Sequence, residues 1–162
     1  MSNLAVENAL KAKGIQFARS AVGDRYVMEA LVENDWSYGA EPSGHVLSLN
    51  KISTGDGIVA GLQVMSALVR SGKSLQELIA DVEMYPSVLK NQIVDDAKKI
   101  MASSVLSEAI KGVESRLADK GRVLVRASGT EPLIRVMVEG QDEALVERLA
   151  DELIAVVQSE IS

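Results

Sequence analysis

The sequence predicts two folded parts: an α/β partial layered domain over residues 1–73 and a small α+β domain over residues 84–162, joined by a linker helix at 74–83. Three observations carry this expectation. Helical and extended patterns alternate at short spacing through the first part, as they do in layered α/β domains. Ser74 and Glu77 then form a capping-box signature, and Tyr85-Pro86 breaks the alternation. Beyond that point the order becomes strand, helix, strand, strand, helix. The first part is read as incomplete because it opens on a helix with no strand before it.

Taken in order, Ser2 or Asn3 caps a helix running to about Lys13, and Gly14 stops it. Ile15 to Arg19 alternates as a short strand. Asp24 is expected to cap a helix through Met28, Leu31 and Val32, and the stretch from Trp36 to Gly39 is extended. After the loop at 40–43, His45 to Leu49 reads as a strand. Thr54-Gly55-Asp56-Gly57 opens an apolar helix from Ile58 to Val69, closed by Gly72, whose stripe and methionines are expected to pack in the core. Trp36 is expected to be buried at a strand edge.

In the second part Ser87 to Val94 forms a strand, and residues 95–119 are mostly helical. Val105, Leu106, Ala109, Ile110, Val113 and Leu117 make one face of that helix. Arg122 to Arg126 and Leu133 to Val138 then flank the loop Ala127 to Pro132. A last helix follows Asp142, with Leu145, Leu149, Leu153, Val156 and Val157 on its apolar stripe.

Composition removes several function classes. The chain has no cysteine, which excludes disulfides, thiolate catalysis and cysteine-held zinc. Its formal net charge is −6, with no basic stripe of the kind that binds nucleic acid. No apolar run approaches the roughly 18 residues of a membrane span, and the N-terminus has no secretory pattern. A cytoplasmic protein is expected. An anion can be held only by a few placed donors, not by the overall field.

The segment with most chemical content is Arg126-Ala127-Ser128-Gly129-Thr130-Glu131-Pro132. Gly129 can adopt backbone angles closed to other residues, so that successive N–H groups converge on an anion. Ser128 and Thr130 add hydroxyls. Arg126 and Arg135 flank the loop mouth, and guanidinium suits bidentate contact with phosphate oxygens. The residues alone also permit a plain polar connection, its arginines solvated or paired with Glu131 and Glu139.

The run from Arg126 through Leu133-Ile134-Arg135-Val136-Met137-Val138-Glu139-Gly140 resembles the phosphate-binding signature of the α-D-phosphohexomutase superfamily, in the wording of its amino-sugar branch. Val22 to Val27 resembles a loop of that family's third domain. Glu41-Pro42-Ser43-Gly44-His45 resembles its sugar-binding loop, and Ser53 to Gln63 resembles the entry and body of the third domain's last helix. The resemblance covers nearly the whole chain and implies the later part of domain three followed by domain four.

The resemblance further implies interconversion of glucosamine 6-phosphate and glucosamine 1-phosphate, toward UDP-N-acetylglucosamine, in a full-length magnesium-dependent phosphoenzyme. By the same resemblance Arg126, Ser128, Gly129, Thr130 and Arg135 hold the idle phosphate, while Glu41, Ser43 and His45 read the sugar. Asp24 and Arg25 form a second tier. His45 alone reads equally as a structural histidine, and Asp24 as a helix cap. Pro42 stands where relatives usually carry an amide, which removes a backbone donor and stiffens the loop.

The family's phosphoserine loop and aspartate-rich Mg2+ loop have no counterpart here. Ser103-Ser104 and Asp95-Asp96 read as helix entries and surface. No catalytic residue and no metal ligand is therefore expected in this chain, and the expected partners are a phosphosugar and the enzyme's N-terminal domains. An exposed apolar sheet edge in the first part would favour homo-oligomers. Two other functions compete: a phosphomannomutase or phosphoglucomutase part, and a stand-alone anion-binding module.

Overall fold

A computed structural model describes residues 1–161, which form two compact units, the first over 1–83 and the second from Met84 onward. Unit 1 contains α1 (Leu4–Ala12), α2 (Asp24–Glu33), β1 (Tyr38–Ala40), β2 (Val46–Ser48), α3 (Gly57–Ser71) and α4 (Leu75–Ile79). Local chemistry sets most of these ends. The Asn3 side chain accepts from Ala5 N at α1, and Asp56 accepts from Ile58 N and Val59 N at α3. Gly72, at φ 65°, closes α3 in the left-handed region. The Ser74–Glu77 capping box forms in full at α4.

Four expectations for unit 1 are corrected. Residues 15–19 are not a strand, because no described strand lies beside them to supply ladder partners. They instead border an open cavity of about 460 Å³, together with Leu10, Leu31, Trp36 and residues of β1. Trp36 lines this cavity and is half-buried, not enclosed at a strand edge. Asp24 is the first residue of α2 and not its cap; Gly23 caps it with no side-chain bond.

The fourth correction concerns α3. None of its residues is buried, and Ile58, Leu62, Met65 and Val69 are 77, 58, 61 and 83% exposed. Apolar periodicity identifies the helix but cannot name what its face meets. The methionines divide accordingly: Met137 is buried, whereas Met65 and Met84 are exposed.

Unit 2 contains β3 (Ser87–Ile93), α5 (Ala97–Met101), α6 (Ser104–Leu117), a 3-10 turn at Ala118–Lys120, β4 (Gly121–Ala127), β5 (Leu133–Gly140) and α7 (Glu143–Ser159). The sheet is antiparallel in the order β3-β5-β4, so the strand closest to the core is bonded on both sides. Ile134, Val136 and Val138 of β5 pack with Leu106, Val113 and Leu117 of α6 and Val146, Leu149, Leu153 and Val157 of α7. Each such buried aliphatic side chain contributes roughly 1.5–3 kcal/mol. Ser103 and Asp96 cap α6 and α5, as helix-entry residues.

Val105 departs from the expected α6 face and is 52% exposed. On α7, Val146 and Ala150 are buried although the sequence stripe omits them. Because strand side chains alternate faces, the core positions of β5 leave Arg135, Met137 and Glu139 on the face opposite the helices. Glu139 is only 2% exposed there and pairs with Arg122 across the ladder, Nε to Oε1 at 3.0 Å.

Candidate functional site

Unit 1 gathers three separate motifs at the N-terminus of α2. The hairpin β1–β2 pairs Tyr38 with Ser48 and Ala40 with Val46, which leaves Glu41 to His45 as its tip. Glu41 N donates to His45 O at 2.9 Å and Gly44 N donates to Glu41 O at 3.0 Å, a tight turn that needs Gly44 at φ 90°. The tip folds onto the Val22–Val27 segment: Glu41 Oε1 accepts from Gly23 N at 3.1 Å, which fixes its carboxylate.

His45 completes the cluster. Its Nε2 lies 3.9 Å from Asp24 Oδ2. On its other side it lies against Gly55, where a Cβ would come within 2.0 Å of Nε2. The histidine thus sits between the start of α2 and the Thr54–Gly57 entry to α3. Glu41, His45 and Asp24 are brought together, and Ser43 is exposed on the tip beside Pro42. Arg25 is not brought in: its Nε donates to Glu29 at 2.8 Å and its side chain is 79% exposed.

Unit 2 presents the second element. In the β4–β5 hairpin Arg126 and Arg135 are direct cross-strand partners, and Asn91 of β3 pairs with Arg135 from the other side. Direct partners share a face, so the two side chains leave the same face of the sheet next to the loop. Like charges placed directly opposite are destabilising. Among the described residues only one of the two is offset: Arg135 Nη2 donates to Glu131 Oε2 at 2.8 Å. Arg135 Nε is shut from solvent and has no hydrogen-bond partner among the described residues.

The connecting loop is braced at its ends. Ser128 N donates to Leu133 O at 2.9 Å, Leu133 N to Glu131 O at 2.8 Å, and Val94 N to Pro132 O at 3.0 Å. Among the described residues these bonds leave the amides of Gly129 and Thr130 unused, and both residues are exposed. One detail of the sequence reading is overturned. Gly129 is not among the positive-φ glycines, so the loop is not the left-handed nest that residue would permit. A Cβ at Gly129 would meet nothing within 4 Å, so the loop is open on that side.

Sequence reasoning did not find the Arg126–Arg135 register, the buried Nε or the Gly55–His45 packing. Only the first had a signal, since hairpin loop length fixes which residues face each other. Glu131 and Glu139 were both weighed as arginine partners. Glu131 takes Arg135, and Glu139 takes Arg122.

An α/β unit is followed by a three-stranded α+β unit that carries an arginine-flanked hairpin loop. The chain belongs to the phosphoglucomutase/phosphomannomutase family: residues 1–85 match its alpha/beta/alpha domain III and residues 89–156 its C-terminal domain. The phosphoglucosamine mutase of Hydrogenovibrio crunogenus is 54% identical over 160 residues, covering 99% of this chain and 36% of the relative. That of Vibrio cholerae is 53% identical over 150 residues, covering 93% and 34%. The chain spans about a third of the length of these curated relatives.

Among solved structures, Aspergillus fumigatus N-acetylphosphoglucosamine mutase in complex with glucose 1,6-bisphosphate aligns with a TM-score of 0.80 at 21% identity. It covers 99% of this chain and 37% of that one. The same enzyme in complex with GlcNAc-6P and magnesium gives 0.74 at 18%, covering 94% and 38%. These likenesses support the fold.

Proposed function

We propose that this chain supplies the sugar-reading and phosphate-gripping elements of a cytoplasmic phosphoglucosamine mutase, which interconverts glucosamine 6-phosphate and glucosamine 1-phosphate for UDP-N-acetylglucosamine synthesis. The observation that carries the proposal is the Arg126–Arg135 pair. Two arginines are direct cross-strand partners on one face of the sheet, and among the described residues the Nε of one is buried without a hydrogen-bond partner. An oxyanion between them removes the repulsion and supplies the missing acceptor.

In this reading the Arg126, Ser128, Gly129, Thr130 and Arg135 group holds the phosphate that is not reacting. Phosphoryl transfer depends mainly on positioning and charge stabilisation, so a firm grip on the idle end aligns the other end for reaction. The hairpin tip has a different task. A sugar that must bind in two opposite orientations presents its ring hydroxyls in similar places each time. Glu41 accepts from those hydroxyls, Ser43 donates or accepts, and His45 contacts the sugar from the rim, with Asp24 orienting it. Arg25 has no part in this scheme, given its pairing with Glu29.

The family relationship implies magnesium and a phosphorylated serine. Among the described residues no group of three or more His, Asp or Glu side chains could hold a metal ion. The residues here do not fit Mg2+, and no step is assigned to it. Among the described residues no helix is long and apolar enough to cross a membrane.

The test is a titration of the chain with glucosamine 6-phosphate, followed by calorimetry or NMR, with Arg135→Ala as the control. Loss of binding in that variant is expected; unchanged binding would sink the assigned phosphate site. Joining the chain to the upstream domains of a matching mutase and assaying glucosamine, mannose and glucose phosphates tests the sugar. A preference for mannose or glucose would overturn the amino-sugar assignment.

A further inference from the structure

We propose that Glu131 is a built-in competitor for the bound phosphate, occupying the edge of Arg135 that the ligand takes and leaving when the ligand arrives. The proposal rests on the phosphate-gripping reading above and adds to it the group that sets the strength of the grip.

The argument begins with guanidinium geometry. The Nε–H and one terminal N–H of arginine point in the same direction, and together they receive two oxygens of one phosphate or carboxylate. In Arg135 the terminal donor Nη2 is bonded to Glu131 Oε2 at 2.8 Å. Nε, by contrast, is buried without a partner. Glu131 therefore occupies a terminal donor that side-on binding of a phosphate would also use. A buried donor left unpaired is a standing cost that a bidentate ligand removes.

Glu131 is also built to leave. Its side chain is 54% exposed, at the end of the loop, whereas Arg135 is 30% exposed. An ion pair this open is worth little in water, so the carboxylate rotates into solvent at small cost. Arg135 is held by the ladder, with Asn91 and Arg126 paired on either side. The mobile partner is the carboxylate and the fixed one is the guanidinium. While the site is empty, Glu131 balances one of two facing positive charges. When a phosphate dianion enters, the same carboxylate opposes it by charge and by occupancy.

The consequence is a deliberately moderated affinity. A reaction that must let go of one phosphate and take up the other gains from a grip that a neighbouring carboxylate helps to release. Glu131→Gln keeps the size of the side chain and removes the competing charge. It should bind phosphate about two- to fivefold more tightly, the range that loss of one exposed ion pair spans.

The experiment follows the Nε–Hε resonance of Arg135 in the 162-residue chain during titration with inorganic phosphate and, separately, with glucosamine 6-phosphate. Wild type, Glu131→Gln, Glu131→Ala and Arg135→Lys are compared. We expect the Arg135 Nε–Hε signal to move with either ligand, tighter binding in both Glu131 variants, and weaker binding in Arg135→Lys, whose ammonium cannot bind side-on. Equal or weaker binding in both Glu131 variants, with Arg135→Lys still impaired, overturns the competitor role and leaves the phosphate reading standing. No movement of the Arg135 signal, together with an unimpaired Arg135→Lys variant, removes the phosphate reading and this proposal with it.

Discussion

Replacing Arg126 with methionine should stabilise unit 2 in the absence of ligand while removing its response to phosphate. Arg126 and Arg135 are direct cross-strand partners, so their Cβ atoms lie about 5 Å apart. Were the two guanidinium charges held at a similar separation, they would repel by about 0.8 kcal/mol at the dielectric of water. Glu131 offsets part of this through Arg135, and the partial burial of Arg126 strengthens what remains. Methionine retains the aliphatic stem that packs on the sheet. The expected gain is about 0.5–1 kcal/mol at low ionic strength. In 1 M salt, where the screening length falls to roughly 3 Å, most of the gain should disappear.

Phosphate should act in the opposite sense. At ten times its dissociation constant it stabilises the wild type by about 1.4 kcal/mol, and Arg126→Met should receive little of that. The assay is amide hydrogen exchange at Val136 and Val138, buried in the strand bonded on both sides. Tryptophan fluorescence would report the wrong unit, since the sole tryptophan is Trp36. A variant less stable than wild type at low salt, or a gain indifferent to salt, would refute the claim of opposed charges.

Three further outcomes follow from the structure. Gly55→Ala places a methyl within 2.0 Å of His45 Nε2. The ring, a movable side-chain end, should swing away with unit 1 still folded, shifting the His45 Cε1–H resonance and weakening sugar-phosphate binding. Glu152 sits below the usual carboxylate range because it accepts a hydrogen bond from Arg116. A lowered folded-state pKa adds stability above the ordinary glutamate value of 4.5 that is lost as pH falls below it. Acid unfolding of Glu152→Gln should therefore be flatter than that of wild type in that window. We also propose that the exposed α3 row makes the chain self-associate, so Leu62→Lys with Met65→Glu should abolish a concentration-dependent rise in mass by sedimentation.

The elements of unit 2 were legible because their signals are short-range. Ser103, Asp96 and Asp142 each cap a helix from within the next few residues. The alternation from Arg122 to Arg126 and from Leu133 to Val138 declares two strands whatever surrounds them. The candidate phosphate loop was legible for the same reason, being one continuous segment. The sugar-reading cluster was legible only as separate motifs. That Gly23, Glu41, His45 and Gly55 meet at one place is a fact of folding across more than thirty residues of chain.

By itself, then, the sequence determined most of the helices and strands, and which loop could receive an anion, because caps, glycine stops and alternation act within a turn or two. Tertiary structure alone decided that residues 15–19 do not pair, that the α3 stripe faces outward and that Val105 leaves the buried face. It also decided that Glu131, and not Glu139, meets Arg135. Those outcomes turn on which surfaces are present to be met. A side chain's periodicity says that it has a preferred face, while burial, pairing and charge balance depend on the neighbour that face encounters.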